Sequence, residues 1–206
     1  MFANKVRKYN KNIKMSYLER RQREKEEVKK RILDATLKIG KKEGWHSVTI
    51  RKIADEIEYT PPIVYEHFEN KEDLIKELIH SGFKMLKEEF VNASKTESDA
   101  KPLLKKLSLI HWDFASKNLA LYQLMFKPEK PALSEEFMDM INIINDTFMK
   151  LAKNNKTLAE ELNINWFCLM HGAISLMMTL PPPPHFQEFE PRDLFANMID
   201  RFIGSI

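Results

Sequence analysis

Apolar positions along this chain recur every three or four residues and almost nowhere alternate strictly, which is the pattern of helices. In "YLERRQREKEEVKKRILDATLKIGKKEG" the stripe is Val28, Ile32, Leu33, Ala35, Leu37 and Ile39, and Gly44 sits at the stop. "TIRKIADEI" sets Ile50, Ile53, Ala54 and Ile57 at i, i+3, i+4, i+7 behind Thr49, a good N-cap. After a break at Glu58-Tyr59, "TPPIVYEHFENKEDL" opens a short helix on two prolines. Neither proline has an N–H to give, so the pair fits only where a helix begins. Pro62 biases Pro61 away from αR, which predicts helical geometry from Pro62, with Thr60 or Pro61 half-in. From Lys71 a long helix runs through Leu74, Ile75, Leu78, Ile79, Phe83 and Leu86 towards Phe90.

The polar run "NASKTESDAKP" predicts a boundary near residues 92–102. Beyond it come a stripe at Leu103, Leu107, Ile110 and Phe114, a short piece around "LALYQLMF" and a proline-bounded loop, "KPEKPALS". Phe137, Met140, Ile141, Ile144, Phe148 and Leu151 make another helix. "WFCLMHGAISLMMTL" is apolar nearly all round, which predicts burial. "PPPPHFQEF" reads as a stiff polyproline spacer, and a last helix carries Leu194, Phe195, Met198, Ile199 and Phe202. With no convincing strand and no repeat, the expectation is an all-α chain of about nine helices.

Composition narrows this picture. Five glycines, eleven methionines and 31% charged residues suit long amphipathic helices. The single cysteine, Cys168, excludes an internal disulfide and a CxxC zinc site. No apolar run is long enough to span a membrane, and the basic N-terminus lacks the apolar core of a secretory signal, so cytoplasmic residence is the expectation. The net charge of +3 is uneven: residues 1–31 hold 12 Lys+Arg against 4 Glu, whereas residues 81–206 are slightly acidic. A basic front suits a polyanionic partner, although charge alone fits a solvated helix face equally well. No HExxH spacing, phosphate loop or Ser/Cys nucleophile motif appears, so a helical enzyme is the weakest reading, and no cofactor or metal is expected.

The chemistry around the proline pair points outward. Arg51 and Lys52 stand in the first turn of their helix, where the macrodipole disfavours each cation by ~0.3–1 kcal/mol unless an anion such as phosphate sits there. Pro61, Pro62 and Ile63 form a rigid apolar nose of the kind that packs on thymine methyl groups. Val64 and Phe68 fall inward, while Tyr65 and His67 flank the nose with groups able to bond phosphate oxygens. Lys71 opens the next helix on the same side. Two short helices across a tight turn, the second with a groove-facing front, make a helix-turn-helix.

"RILDATLKIGKKEGWHSVTIRKIADEIEYTPPIVYEHFENKEDLI" resembles the DNA-binding domain of TetR-family transcriptional regulators. The matching features are the "ILDAT" helix, Gly44, Thr49, Ile53-Ala54, Tyr65-x-His67-Phe68 and Lys71-x-x-Leu74. The resemblance implies phosphate contacts for Thr49, Tyr65, His67 and Lys71, with Thr60, Pro61, Pro62 and Ile63 at the base-reading positions. Glu66, one turn on, suits a bond from cytosine N4, or simply water. Where the family usually has a small residue, often Gly, this chain has Glu58; αL geometry there costs a Glu up to ~1–2 kcal/mol. The domains expected are a basic arm and start of the first helix (1–23), the DNA-binding domain (24–80) and an effector-binding and dimerisation domain (81–206). Residues 1–14 read equally as a mobile arm touching DNA and as extra sequence from an early start codon.

In the second domain, "LYQLMF" and "WFCLMHGAISL" loosely resemble a subtype named for a Trp-His-Gly motif, here Trp166 and His171-Gly172. Cys168, Gly172, Ser175 and Thr179 share one face of small residues, which suits two copies of a helix crossing at a twofold axis or close packing within one subunit. The candidate dimer interface adds Phe195, Met198, Ile199 and Phe202. Trp112, Phe114, Tyr122, Met125, Phe126, Phe137, Met140 and Trp166 are candidate walls of a ligand pocket or plain core, and His111 and His171 are candidate ligand-orienting groups or satisfied core histidines. The expected function is a homodimeric, sequence-specific DNA-binding regulator, a repressor released from a palindromic operator in double-stranded DNA by a small hydrophobic or amphipathic effector. The alternative is an architectural DNA-binding protein without effector.

Overall fold

A computed structural model describes residues 2–127, 134–179 and 190–206, with side chains from residue 17 onwards. Among these residues there are nine α-helices and no strand: α1 (Phe2–Glu43), α2 (Ile50–Glu56), α3 (Pro61–Tyr65), α4 (Lys71–Thr96), α5 (Ala100–Lys117), α6 (Leu119–Met125), α7 (Glu135–Leu151), α8 (Lys156–Thr179) and α9 (Pro191–Gly204). The all-helical reading holds. The loop "KPEKPALS" falls almost wholly, and "PPPPHFQEF" entirely, outside the described residues. The chain divides into two compact units, Met1–Ile75 and Lys76–Ile206, the division falling inside α4.

In the first unit α1 supplies the floor. Ile32, Ala35 and Ile39 are buried with Ile53, Ala54 and Ile57 from the α2 segment and Val64 and Phe68 from α3 and its exit. Gly44 ends α1 at φ 83°, where a side chain would be strained. A 3₁₀ turn, Trp45–Ser47, then leads to Thr49, whose hydroxyl accepts from the Lys52 N–H and caps α2.

The turn between α2 and α3 is a Schellman closure. The Tyr59 N–H reaches back to the Ala54 carbonyl at 2.9 Å and the Glu58 N–H to that of Asp55 at 3.2 Å, with Glu58 at φ 60°. The left-handed geometry suspected at Glu58 is therefore present. Arg31 of α1 locks the turn from below, its guanidinium donating to the Ile57 carbonyl at 2.6 Å and lying over the Tyr59 ring at 5.0 Å.

Three boundaries differ from the sequence expectation. Helix α3 begins at Pro61, not Pro62, because the Ile63 N–H bonds to the Thr60 carbonyl and Thr60 itself takes the extended cap position. Helix α4 runs on to Thr96, into the run expected to be a boundary. Phe90 and Ala93 continue its buried stripe, and the Ser94 and Thr96 hydroxyls bond back to Val91 and Asn92 carbonyls instead of competing with the helix. Helix α1 extends back to Phe2 through the segment expected as an arm, a stretch without Gly or Pro to stop it.

The second unit is built around α5, which packs against α6, α7, α8 and α9. Its buried face is Leu103, Leu104, Leu107, Ser108, His111, Trp112, Phe114 and Ala115. Gly82 of α4 lets α6 approach closely: a Cβ there would lie 2.5 Å from the Met125 sulfur. Lys87–Asp139 at 3.0 Å and His80–Glu136 at 3.1 Å tie α4 to α7.

The left-handed Glu58 generates the first prediction. Glu58→Gly removes the Cβ penalty at φ 60° and should raise stability by up to ~1 kcal/mol. A thermal or urea unfolding midpoint that falls would show that the Glu side chain itself supports the turn.

Candidate functional site

The first unit presents α3 with one face in and one face out. Val64 and Phe68 are buried, Pro62 is exposed, and Tyr65 is 55% exposed. Pro61, Ile63 and His67 are half-buried, and Thr60 and Glu66 are exposed. The fixed φ of two prolines at the helix start and the locked turn before them hold this front rigid. Around it stand Thr49, Arg51 and Lys52, all exposed.

Two of the cations are engaged within the unit. Lys52 donates to Glu43 at 2.7 Å, and that bond holds the Glu43 carboxyl below its ordinary range. Lys71 is half-buried, and its ammonium donates to the Trp45 carbonyl at 2.9 Å, pinning the start of α4 to the 3₁₀ turn. Burial pushes the His67 imidazole below its ordinary value, and the charges of Lys25 and Lys29 add to that shift.

In the second unit only part of the candidate pocket converges. The rings of His111, Tyr122, Phe126 and His171 meet edge to face and tilted, with His111–His171 centroids 5.2 Å apart and Phe126–His171 4.4 Å apart. Phe167, absent from the sequence expectation, packs on His171 at 4.1 Å. Its signal was its place one helical turn before His171 on α8. Tyr122 and His171 Nδ1 share a hydrogen bond. Burial drives the His111 pKa well below its ordinary value and His171 to about 4, so both rings are neutral near pH 7. Burial likewise raises the Tyr122 phenol and keeps it protonated.

Among the described residues, both ring nitrogens of His111 and Nε2 of His171 are buried without a hydrogen-bond partner. The satisfied core histidine is thus not what the fold provides. Each such atom costs ~1–3 kcal/mol until something bonds to it. Beside the cluster lies a cleft of about 360 Å³, walled by Tyr122, Phe126, Phe167 and His171, with Lys127 and Ser175 also lining it. Neutral ring nitrogens, a phenol and aromatic faces suit an amphipathic molecule with polar atoms at one end.

The other pocket candidates are core. Trp112 stacks on Phe195 at 4.7 Å, while Trp166 is fully buried against Phe148 and donates to Ser108. Met125 fills the space over Gly82, Phe137 packs on Phe83, and Met140 is buried. Phe114 is buried at the edge of a different cleft, one lined largely by charged residues of α4 and α5. Hydrophobic periodicity cannot separate a core aromatic from a pocket aromatic, because both sit on the inward face of a helix.

The candidate dimer residues also divide. Phe195 and Ile199 are fully buried within the single chain, so they serve its own core and not an interface. Met198 and Phe202 are half-buried. On α8 the expectation of all-round burial fails: Trp166, Met170, Ala173 and Ile174 are buried, whereas Ile164, Phe167, Cys168, Gly172, Ser175, Leu176 and Thr179 are exposed. The small-residue face lies on this outer side, and nothing approaches within 4 Å of a Cβ built on Gly172. Among the described residues no three His, Cys, Asp or Glu converge as metal ligands, and no helix is long and apolar enough to cross a membrane.

The neutral histidines make stability depend on pH. The unfolded chain binds a proton at His171 near pH 6.5 but the folded chain only near 4, so the stabilisation is complete above about 6.5 and is lost as pH falls towards 4. His111 acts in the same direction. The thermal midpoint should fall between about pH 7 and pH 5, and less so in His171→Phe. Equal acid sensitivity in the two proteins would remove His171 from this role.

Residues 32–78 match the family profile described as bacterial regulatory proteins, tetR family. No curated protein matches the chain in sequence. Several solved structures share its fold. The fatty acid degradation regulator FadR from Bacillus halodurans is 14% identical, with a TM-score of 0.66 over 86% of this chain and 95% of that one. The transcriptional regulator FadR from Bacillus subtilis, in complex with stearoyl-CoA, is 16% identical, with a TM-score of 0.67 over 85% and 98%. The TetR family transcriptional regulator PfmR from Thermus thermophilus is 16% identical, with a TM-score of 0.60 over 84% and 94%. The chain therefore carries the amino-terminal domain of the tetR family of bacterial regulatory proteins, on the all-helical fold of solved regulators of that family.

Proposed function

We propose that the protein is a homodimeric, sequence-specific DNA-binding regulator, a repressor that leaves a palindromic operator when a small amphipathic molecule binds. The observation that carries this reading is the presentation of α3: Val64 and Phe68 inward, Pro62 and Tyr65 outward, on a turn locked by Arg31. Residues 24–80 then read DNA, and residues 81–206 bind the effector and dimerise. Pro61, Pro62 and Ile63 meet base edges in the major groove, while Thr49, Arg51 and Tyr65 contact phosphates. Lys71 acts first through the Trp45 carbonyl, setting where α4 begins.

The effector belongs in the cleft walled by Tyr122, Phe126, Phe167 and His171, where the unpartnered His171 Nε2 and a phenol meet aromatic walls. The stearoyl-CoA held by the Bacillus subtilis regulator supports trying fatty acids and their small derivatives first, at chain lengths that a cleft of about 360 Å³ accepts. A ligand acts by preferring a spacing of the two heads that does not fit the operator. Two heads on a twofold-symmetric dimer reach half-sites about one DNA turn apart, ~34–36 Å, or a multiple of it. The exposed outer face of α8 supplies the twofold contact.

Binding-site selection from random DNA tests the reading directly. Ile63→Ala should change the preferred sequence, by ~1–3 kcal/mol of base discrimination, more than it changes affinity for random duplex. Arg51→Ala should weaken both alike and lower the salt slope by about 1 for each subunit, about 2 for the dimer. A single unchanged consensus for wild type and Ile63→Ala would remove α3 as the reader. An architectural protein would instead protect no discrete palindrome in a footprint.

Assembly is tested separately. Gly172 faces open space, so Gly172→Leu leaves the chain folded but should shift sedimentation velocity from dimer to monomer. A wild-type chain that sediments as a monomer at micromolar concentration overturns the dimer and the palindrome together.

A further inference from the structure

Helix α1 is much longer than its fold requires. From residue 17, where its side chains are described, buried positions begin only at Ile32, yet the helix runs from Phe2, roughly 40 Å ahead of Ile32. Residues 17–27 are all exposed, including Tyr17 at 60% and Leu18 at 53%. In sequence, residues 2–16 hold five Lys and Arg and no acid. A helix polar all round has no core to hold it, so its stability must come from its own charge pairs or from an outside surface. Internally, the neutral Gln22 amide donates to Glu26, and the Arg23 guanidinium donates to the Glu19 carbonyl.

Arg21 and Lys25 project differently. They line one wall of a cleft of about 620 Å³ whose other wall is Tyr59, Ile63, Glu66 and His67. Ile63 belongs to the apolar front of α3, so the cleft opens beside the front that reads bases. Two acids, Glu24 and Glu66, also line it. Burial first, then the charge of Lys25, opposed by Glu66 and joined by Lys29, hold the His67 imidazole at this cleft below its ordinary value. We propose that the exposed half of α1 is a second DNA-contacting element, in which Arg21 and Lys25 hold the sugar-phosphate strand that borders the groove entered by α3. The proposal rests on the DNA-binding reading above and adds contacts outside the recognition helix. The cleft lining balances Arg21 and Lys25 against Glu24 and Glu66, so charge complementarity comes from the helix around it: residues 17–31 carry 7 Lys and Arg against 4 Glu, and a phosphate strand also offers sugar faces to the apolar Leu18 and Val28 on the same wall. Phosphates held here add affinity and orientation but no base preference.

The test uses the full chain and a random-sequence duplex of about 40 base pairs, titrated across a salt series. Arg21→Ala with Lys25→Ala should flatten the dependence of affinity on salt by about 2 for each subunit, about 4 for the dimer. Wild type should then lose roughly a hundredfold more affinity than the double variant between 50 and 200 mM salt. Lys117→Ala, an exposed cation of the second unit, should leave the slope alone. The same double variant should keep the wild-type melting temperature and the same selected consensus. If wild type and Arg51→Ala behave as the DNA-binding reading requires but the double variant keeps the full slope, the α1 contact is overturned and that reading stands. If the double variant changes the sedimentation coefficient, the cleft joins two copies of the chain, which also overturns it. A wild-type chain that fails to bind duplex at low salt overturns both.

Discussion

The first unit depends on Arg31. The α2–α3 turn needs a left-handed residue, and the chain offers Glu58 where glycine would be free of penalty. The Schellman bonds at Glu58 and Tyr59 occupy the carbonyls of Asp55 and Ala54, which leaves the Ile57 carbonyl pointing away from α2. Arg31 takes that carbonyl and covers the Tyr59 ring in the same stroke. Because Arg31 precedes Ile32 on α1, the turn is fixed to the helix that carries the core of the unit. Arg31 thereby adds a tie to α1 beyond the turn bonds and the packing of Ile53, Ala54 and Val64 that hold α2 against α3.

A second constraint governs the other unit. His111 sits on the buried face of α5, where a satisfied polar group would be the stable choice. Its rings of contact are aromatic on several sides, from Phe90, Tyr122, Phe126 and His171. Neither nitrogen finds a partner among the described residues, and the proton that would make it more polar is expelled by burial. Folding therefore carries a cost here. Such a cost is hard to rationalise as packing, since Phe or Leu would fill similar space without it.

Most of the fold was legible because helices announce themselves by period. The Thr49 cap, the Pro-Pro start, the stop at Gly44 and the inward pair Val64 and Phe68 are local signals, and each has a local cause. What the sequence could not carry is partnership across long separations. Arg31 looks like one cation among many in a charged run, and Lys71 looks like a surface ammonium until Trp45 is seen opposite it. Likewise Trp112 and Trp166 share the periodicity of the true cleft residues but point to Phe195 and Phe148. The extension of α4 through "NASKT" was hidden because hydroxyls that bond to their own helix look like breakers in a one-dimensional reading.

Helix α8 shows where composition misleads in a more useful way. Its near-uniform apolarity suggested a fully buried rod, but only the face with Trp166, Met170, Ala173 and Ile174 finds cover in one chain. The opposite face sets Ile164 and Leu176 in the open around small Cys168, Gly172 and Ser175. Burying two such side chains is worth ~1.5–3 kcal/mol each, so leaving them exposed forgoes a sizeable fraction of a domain's marginal stability. Phe167 borders that open face while packing on His171, so it belongs both to the aromatic cluster and to the uncovered side of the helix. Phe167 is thus a ring that a cover over the outer face of α8 and an occupant of the cleft would both touch.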